Sequence, residues 1–410
     1  MSETPDTLKR AVGPVLLTLY GVGVTVGAGI YVLVGKVAGE AGMAAPVAFL
    51  IAGILAGLSA LSYSEMATRF PRAGGEATYV NAGFGLPWVT LGVGLLVVFT
   101  GVSSAAAVLL GFVGYLNELV AVPTIFTLVG VVAVLGAITF WGVAQSLVVV
   151  ALTTLLEIGG LLLVIGAGLP SFGNLPAALP EMWPGLDAIV WLAVLSSSVL
   201  AFFAFIGFED IVNMAEEVRE PDRSIPRAII ATLLISTGLY IALAIVSVLT
   251  IAPEVLAQSD APLALVFGAS GGNADILSSI AILAVVNGAL IQIIMASRLI
   301  YGLARLGRLP AILGHVNART RTPDVAILVV MAIVLVFAIS LPIVELASYA
   351  SLAVLLVFTS VNVALLVMRR RPDDRHDGFR VPIAVPVVGA LASFGLFVFG
   401  AGQQVAPLFY

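Results

Sequence analysis

Gly27-Ala28-Gly29 interrupts an uncharged, largely apolar run of twenty-five residues, Ala11–Gly35. A second long run, Ala188–Phe208, passes through Phe205-Ile206-Gly207-Phe208 and ends on Glu209-Asp210. A helix stopped at such a break leaves backbone N–H and C=O groups without intrahelical partners. In hydrocarbon those groups must be satisfied by protein or by a polar ligand. The half-helix restarting near Gly29 offers the N–H groups of Ala28, Gly29 and Ile30 at the positive end of its dipole, which suits a carboxylate. The half-helix ending near Thr25 and Val26 offers carbonyls. So does the first half of the second run, which ends at Phe203–Ile206 before Gly207. Carbonyls suit an ammonium group. Donors for a carboxylate beside acceptors for an amine describe a site for an amino acid or a related amine, and the glycines let a ligand approach the backbone closely.

Two acids stand out, one within another apolar span and one at the second break. Glu157 lies in the middle of an apolar span, where an ionisable residue is costly and functional by default; the alternative is a carboxyl hydrogen-bonded to a neighbouring helix. Glu209 follows the second break directly. Both are candidates for holding and releasing a proton, with Asp210 the weaker third. Asn287 could face a ligand or a neighbouring helix, Arg298 reads as an anchor with its head drawn toward water, and His315 and His376 read as solvated loop residues.

The elements that must position these groups are set by composition. Hydrophobic residues make up 60% of 410 residues and charged residues 10%, with a mean hydropathy of +1.15. A soluble domain carries roughly 25% charged residues, so this chain takes lipid as its solvent. Its apolar runs are continuous and about 20 residues long, which fits membrane-spanning helices and not the short alternating segments of a barrel. Cysteine is absent, which removes disulfides and thiolate metal chemistry. No cofactor or metal site is expected, no cleavable leader, and no basic patch for nucleic acid.

Eleven spans are expected, at about 11–38, 43–67, 88–113, 122–141, 145–168, 188–218, 228–252, 276–305, 324–341, 344–368 and 381–401. With the N-terminus placed inside, every Lys and Arg of the eighteen except Lys36 and Arg298 falls on the inner side, as the positive-inside rule requires. The expected C-terminus is then outside. Span six lies five after span one, so the two interrupted spans run in opposite directions. Paired, inverted, interrupted spans mark a transporter site at the membrane midplane. The chain divides as 11–168, a first five-helix repeat; 188–368, a second and inverted one; and 381–401, an additional helix.

Five short motifs carry a resemblance: Val26-Gly27-Ala28-Gly29-Ile30, Pro71-Arg72-Ala73-Gly74-Gly75, Phe202–Pro221 with Ala215-Glu216-Glu217-Val218, Ser224-Ile225-Pro226-Arg227, and Ser297-Arg298-Leu299-Ile300-Tyr301. Their order and topology resemble the amino acid–polyamine–organocation (APC) superfamily of permeases, from about residue 10 to 400. The resemblance implies an all-α membrane protein with the LeuT-like 5+5 inverted-repeat fold, discontinuous helices 1 and 6, and proton-coupled symport or exchange across the cell membrane. It implies that Gly27-Ala28-Gly29 holds the substrate carboxylate and that carbonyls around Phe203 and Ile206 hold its amine. Phe203 would be an aromatic gate and Glu209 an acid just past the second break. Two departures stand out. Relatives usually have twelve spans, and several carry a lysine near position 157, where it replaces a sodium ion; here that position is acidic.

Readings from other classes are a membrane receptor that binds amino acids without moving them, a channel, and an enzyme. Gly268-Ala269-Ser270-Gly271 resembles an intramembrane serine-protease motif, but it lies on the outer side and both histidines lie inside. Gly21-Val22-Gly23 lacks the strand a dinucleotide loop needs.

Overall fold

The computed structural model describes residues 12–71, 75–142, 147–372 and 376–405. Ala11, Lys9, Arg10, Arg375 and the centre of the second motif, Arg72-Ala73-Gly74, lie outside the described residues, as does the side chain of Ala28. The described chain is helical: α1 Pro14–Val26, α2 Ala28–Ala41, α3 Ala45–Arg69, α4 Gly75–Phe84, α5 Pro87–Leu119, α6 Thr124–Trp141, α7 Leu147–Gly168, α8 Leu175–Met182, α9 Ala188–Phe202, α10 Pro221–Thr250, α11 Pro253–Gln258, α12 Pro262–Ala269, α13 Ala274–Arg305, α14 Asp324–Ser340, α15 Ile343–Arg369 and α16 Ala384–Val405.

Local chemistry sets many of the boundaries. Proline sits in the first turn of α1, α3, α5 and α10, where its missing N–H costs nothing. The Asp187 carboxylate accepts from the backbone N–H of Ile189 at 2.8 Å and starts α9. Gly142, left-handed at φ 75°, closes α6 where the expected division between spans four and five falls. Gly42, at φ 58°, turns the chain between α2 and α3.

Nine stretches among the described residues are long and apolar enough to cross a bilayer, one of them holding both α2 and α3; α1 and α14 are shorter apolar helices. Every expected span therefore has its helix, the first being α1 and α2 together. Large apolar side chains cover the outside, among them Trp88, Phe126 and Leu391, each at least 70% exposed, as a lipid-facing surface requires.

Inside, α5 runs through the middle and packs along α13, α15 and α14, while α1 packs on α10 and α7, and α2 on α9 and α11. Polar threads stitch the bundle. Ser62 donates to Asn362 Oδ1 at 2.7 Å, and Asn362 donates to Ser59 at 3.2 Å, tying α3 to α15. At the arginine-rich end, Glu65 on α3 is fully buried and sits between Arg69 and Arg369. Arg69 Nη2 reaches it at 2.7 Å, Arg369 Nε at 3.0 Å, and the Val381 N–H at 2.9 Å. His376 is not free in solvent as expected; its Nε2 lies 3.1 Å from Thr68 Oγ1 on α3.

One expected element differs. The apolar face after the second break suggests an α-helix to Val218. The chain instead forms a 3₁₀ turn at Phe203–Phe205, breaks at Ile206–Gly207, and continues as 3₁₀ helix over Phe208–Met214. Val218 then bridges Val12, with Val12 N–H donating to Glu217 O at 3.0 Å and Arg219 N–H to Val12 O at 2.9 Å. The departure from α-helical winding begins at the break itself, where Gly207 takes φ 122°. The bridge ties the start of α1 to the segment beyond the second break.

Candidate functional site

Both interruptions occur where the residues place them. α1 ends at Val26, Gly27 stands between the halves at φ −41° and ψ −110°, and α2 begins at Ala28 with no side-chain cap. The first-turn N–H groups of α2, at Ala28, Gly29 and Ile30, are therefore without helical acceptors. The second break needs a glycine. Gly207 has φ 122°, and a β-carbon there would come within 2.8 Å of Val24 O. Its N–H donates to the Glu209 carboxylate at 2.8 Å, so Glu209 caps the break it follows. Glu209 and Asp210 are both buried and in electrostatic contact with the buried Glu76 of α4.

The two breaks meet. Gly29 packs so closely on the second that a β-carbon would lie 2.7 Å from Ala204 Cα and 3.3 Å from Phe203 Cδ1. A small cavity of about 30 Å³ opens beside them, room for roughly one or two water molecules. The first break lines it with Val24, Thr25 and Gly29, and the second with Phe203 and Ile206. Ser104 and Val108 come from α5, and Gly288 and Gln292 from α13. Val26 and Ile30 are buried at the same junction but outside the lining. Thr25 turns its hydroxyl back onto Gly21 O at 2.8 Å, leaving backbone as its polar offering.

The carbonyl ends are not all free. Tyr240 of α10 places its hydroxyl 2.8 Å from Thr25 O and 2.8 Å from Ala204 O. A phenol has one proton, shared here between a carbonyl in the last turn of α1 and one in the 3₁₀ turn that follows α9. Phe203 O accepts the Ile206 N–H at 3.2 Å. Sequence reasoning missed Tyr240, and also Ser104 and Gln292: a lone tyrosine in an apolar span carries no spacing signal. Tyr240 meets Phe205 and Phe49 edge-to-face, with centroids 5.0 and 6.0 Å apart. These contacts hold its ring in place.

Glu157 lies behind the cavity, not in it. It is buried on α7, and Asn287 Nδ2 of α13 donates to its Oε1 at 3.3 Å. Its Oε2 has no hydrogen-bond partner among the described residues. Tyr31 of α2 donates to Glu157 O at 2.7 Å, and Tyr115 of α5 donates to Tyr31 O at 2.6 Å. Asn287 precedes Gly288 of the lining, so a carboxyl on α7 is connected through one side chain to the cavity wall. Of the side residues, His315 pairs with Asp324 at 2.7 Å, and Ser270 donates to Val266 O at the end of α12. No cluster of His, Asp and Glu among the described residues could hold a metal.

Because a side chain at Gly29 would meet the Ala204 backbone, Gly29→Val is expected to break the junction of the two helices as well as the ligand site. Gly29→Ala, which adds only the β-carbon that meets Ala204 Cα at 2.7 Å, is the milder probe. It is expected to lose ligand binding with a measurable fall in melting temperature, while Gly57→Ala, where a β-carbon meets nothing within 4 Å, leaves both unchanged.

A polytopic helical membrane protein with a small cavity at two converging helix interruptions is the class that fold and site define. The chain belongs to the amino acid permease family, whose model matches residues 13–409, within the APC superfamily. It is 32% identical over 400 residues to the vacuolar cationic amino acid transporter 4 of Arabidopsis thaliana, covering 91% of this chain and 65% of that protein. It is 29% identical over 403 residues to the branched-chain amino acid permease of Bacillus subtilis (strain 168), covering 94% of this chain and 86% of that one. A methylthioribose transporter of the same bacterium is 28% identical over 416 residues, with 94% and 87% covered. The chain thus spans just under two thirds of the plant relative and most of the bacterial ones.

Proposed function

We propose that this protein carries an amino acid across the membrane by alternating access. The observation that carries the reading is the convergence of both helix interruptions on one cavity. Unpaired N–H groups at Ala28, Gly29 and Ile30 would receive the substrate carboxylate. Carbonyls of Thr25, Val26, Phe203 and Ile206, with Gly207 giving access, would receive its ammonium. A cavity of about 30 Å³ is too small for that ligand, so admission requires the halves to part. In the closed form the Tyr240 hydroxyl stands against Thr25 O, one of these acceptors, and against the neighbouring Ala204 O, and it would yield Thr25 O to the ammonium.

The inverted repeats 11–168 and 188–368 would supply the rocking units, with 381–401 peripheral to them. The protein would sit in the cell membrane, and the bias of Lys and Arg supports a cytoplasmic N-terminus and an outer end for α16. A proton would drive the cycle through Glu157, with Glu209 next in rank. No ionised side chain lines the cavity among the described residues, and Val24, Val108 and Ile206 form much of its wall. That lining supports a small neutral or branched apolar side chain over a cationic one, since a buried cation would lack a partner.

Uptake into proteoliposomes tests the reading. Saturable flux of labelled valine that excess valine competes and excess lysine does not is the expected result. Saturable binding without flux would support a receptor, and unsaturable flux a channel. Effective competition by lysine would overturn the neutral-substrate assignment.

Phe203 covers the cavity from one side, and its ring face can meet an ammonium by cation–π attraction of about 0.5–2 kcal/mol. Phe203→Ala is expected to weaken binding by up to roughly 30-fold, whereas Phe203→Trp is tolerated. Tyr240→Phe removes the hydroxyl that competes for Thr25 O and Ala204 O while keeping the ring. It is expected to change affinity without loss of fold, and unchanged affinity would remove Tyr240 from the site.

A further inference from the structure

Arg298 and Arg321 face a common space at the arginine-rich end of the bundle. Two adjoining cavities, of about 520 and 280 Å³, share Arg298, Arg321 and Pro323 as walls. They lie between the end of α6 at Thr139 and Gly142, the end of α13 at Ser297 and Arg298, and the start of α14. Neither guanidinium forms an ion pair among the described residues, although each brings five N–H donors in a planar fork. No carboxylate lines either cavity.

Arg321 is held in place by an ordered turn. It has φ 59°, a left-handed conformation uncommon for a side-chain-bearing residue. The Asn317 carboxamide accepts from the N–H of Arg319 at 2.9 Å and of Thr320 at 3.3 Å. Arg321 N–H donates to Asn317 O at 3.0 Å, and Asn317 N–H to Thr322 O at 2.9 Å. Thr322 then donates to Phe140 O at 3.0 Å, fixing the turn to α6. The strain is therefore supported from several sides, and it aims one arginine at the same space as the other. Beside this mouth stands Trp141, 78% exposed at the end of α6, as aromatic residues stand at a membrane–water interface.

The geometry points to a binding site for a phosphate group here, supplied by the headgroup of an anionic phospholipid or by free phosphate, gripped by Arg298 and Arg321. Paired arginines match phosphate oxygens bidentately. Basic pockets between membrane helices on the cytoplasmic side receive anionic headgroups. The orientation proposed above places this end in the inner leaflet, but binding in detergent does not depend on orientation or on transport. Failure of the site and failure of the transport reading are therefore separable.

The test is titration of the purified full-length protein in neutral detergent with phosphatidylglycerol, with phosphatidylcholine and with inorganic phosphate. Phosphatidylglycerol is expected to bind and phosphatidylcholine to bind far more weakly, with the preference falling as salt rises. Replacing both arginines, Arg298→Gln with Arg321→Gln, is expected to weaken phosphatidylglycerol binding by roughly 30-fold. Arg308→Gln, on the same connection but outside the cavities, leaves it unchanged. If the double variant does not fold, each single variant should lose part of the effect. Inorganic phosphate that binds alone and displaces the lipid assigns the pocket to free phosphate. Equal phosphatidylglycerol affinity in the folded arginine variants and the parent overturns the site.

Discussion

Glu157→Gln is expected to abolish accumulation driven by a proton gradient while substrate exchange between the two sides continues. Glutamine keeps the size of the side chain and can keep the contact with Asn287 Nδ2, 3.3 Å from the carboxyl in the parent. It cannot exchange a proton. The free Oε2, buried without a partner among the described residues, is the atom at which a proton can be held or lost. The link through Asn287 to Gly288 of the cavity wall would give its protonation a route to the proposed ligand site. A merely structural carboxyl behaves differently: its loss lowers stability and leaves the pH dependence of uptake as it was. Measuring exchange and gradient-driven uptake in the same proteoliposomes separates the two. Gradient-driven accumulation by Glu157→Gln would pass the coupling role to Glu209, although the 2.8 Å contact with the Gly207 N–H already gives that acid a capping task.

Glu65→Gln is expected to cost about 3–5 kcal/mol, the usual penalty for removing one partner of a buried ion pair. Its carboxylate is fully buried between Arg69 and Arg369, whose side chains are each 5% exposed. Neutralising it leaves two guanidiniums facing each other without the negative charge they share and with one acceptor oxygen in place of two. The group also holds the Val381 N–H at 2.9 Å, so α3, α15 and the segment entering α16 should loosen together. Thermal unfolding in detergent reads the loss. Ser393→Ala, which removes only a 3.4 Å hydroxyl contact with Ser59, serves as the comparison and should change little. A loss for Glu65→Gln under about 1 kcal/mol, the size of an exposed pair, would mean that water already solvates this cluster.

Much of the architecture was legible in the sequence, because in lipid the backbone must satisfy itself within each span. Apolar run length then fixes where helices lie, and prolines and glycines fix where they start and stop. The interruption at Gly27 follows from residue types alone, and so does the one at Gly207, where only glycine tolerates φ 122°. The identity of Glu157 as an isolated acid in an apolar span was equally plain. Tertiary structure alone decided which distant groups share a neighbourhood. Tyr240 bridges the carbonyls of Thr25 and Ala204 across intervals of 215 and 36 residues, and Asn287 reaches Glu157 across 130. Helix rotation, which composition does not encode in a span apolar on all sides, determines such meetings. The same holds for the 3₁₀ path of Phe208–Met214: local pattern favoured an α-helix, and the segment instead leads to the bridge between Val218 and Val12.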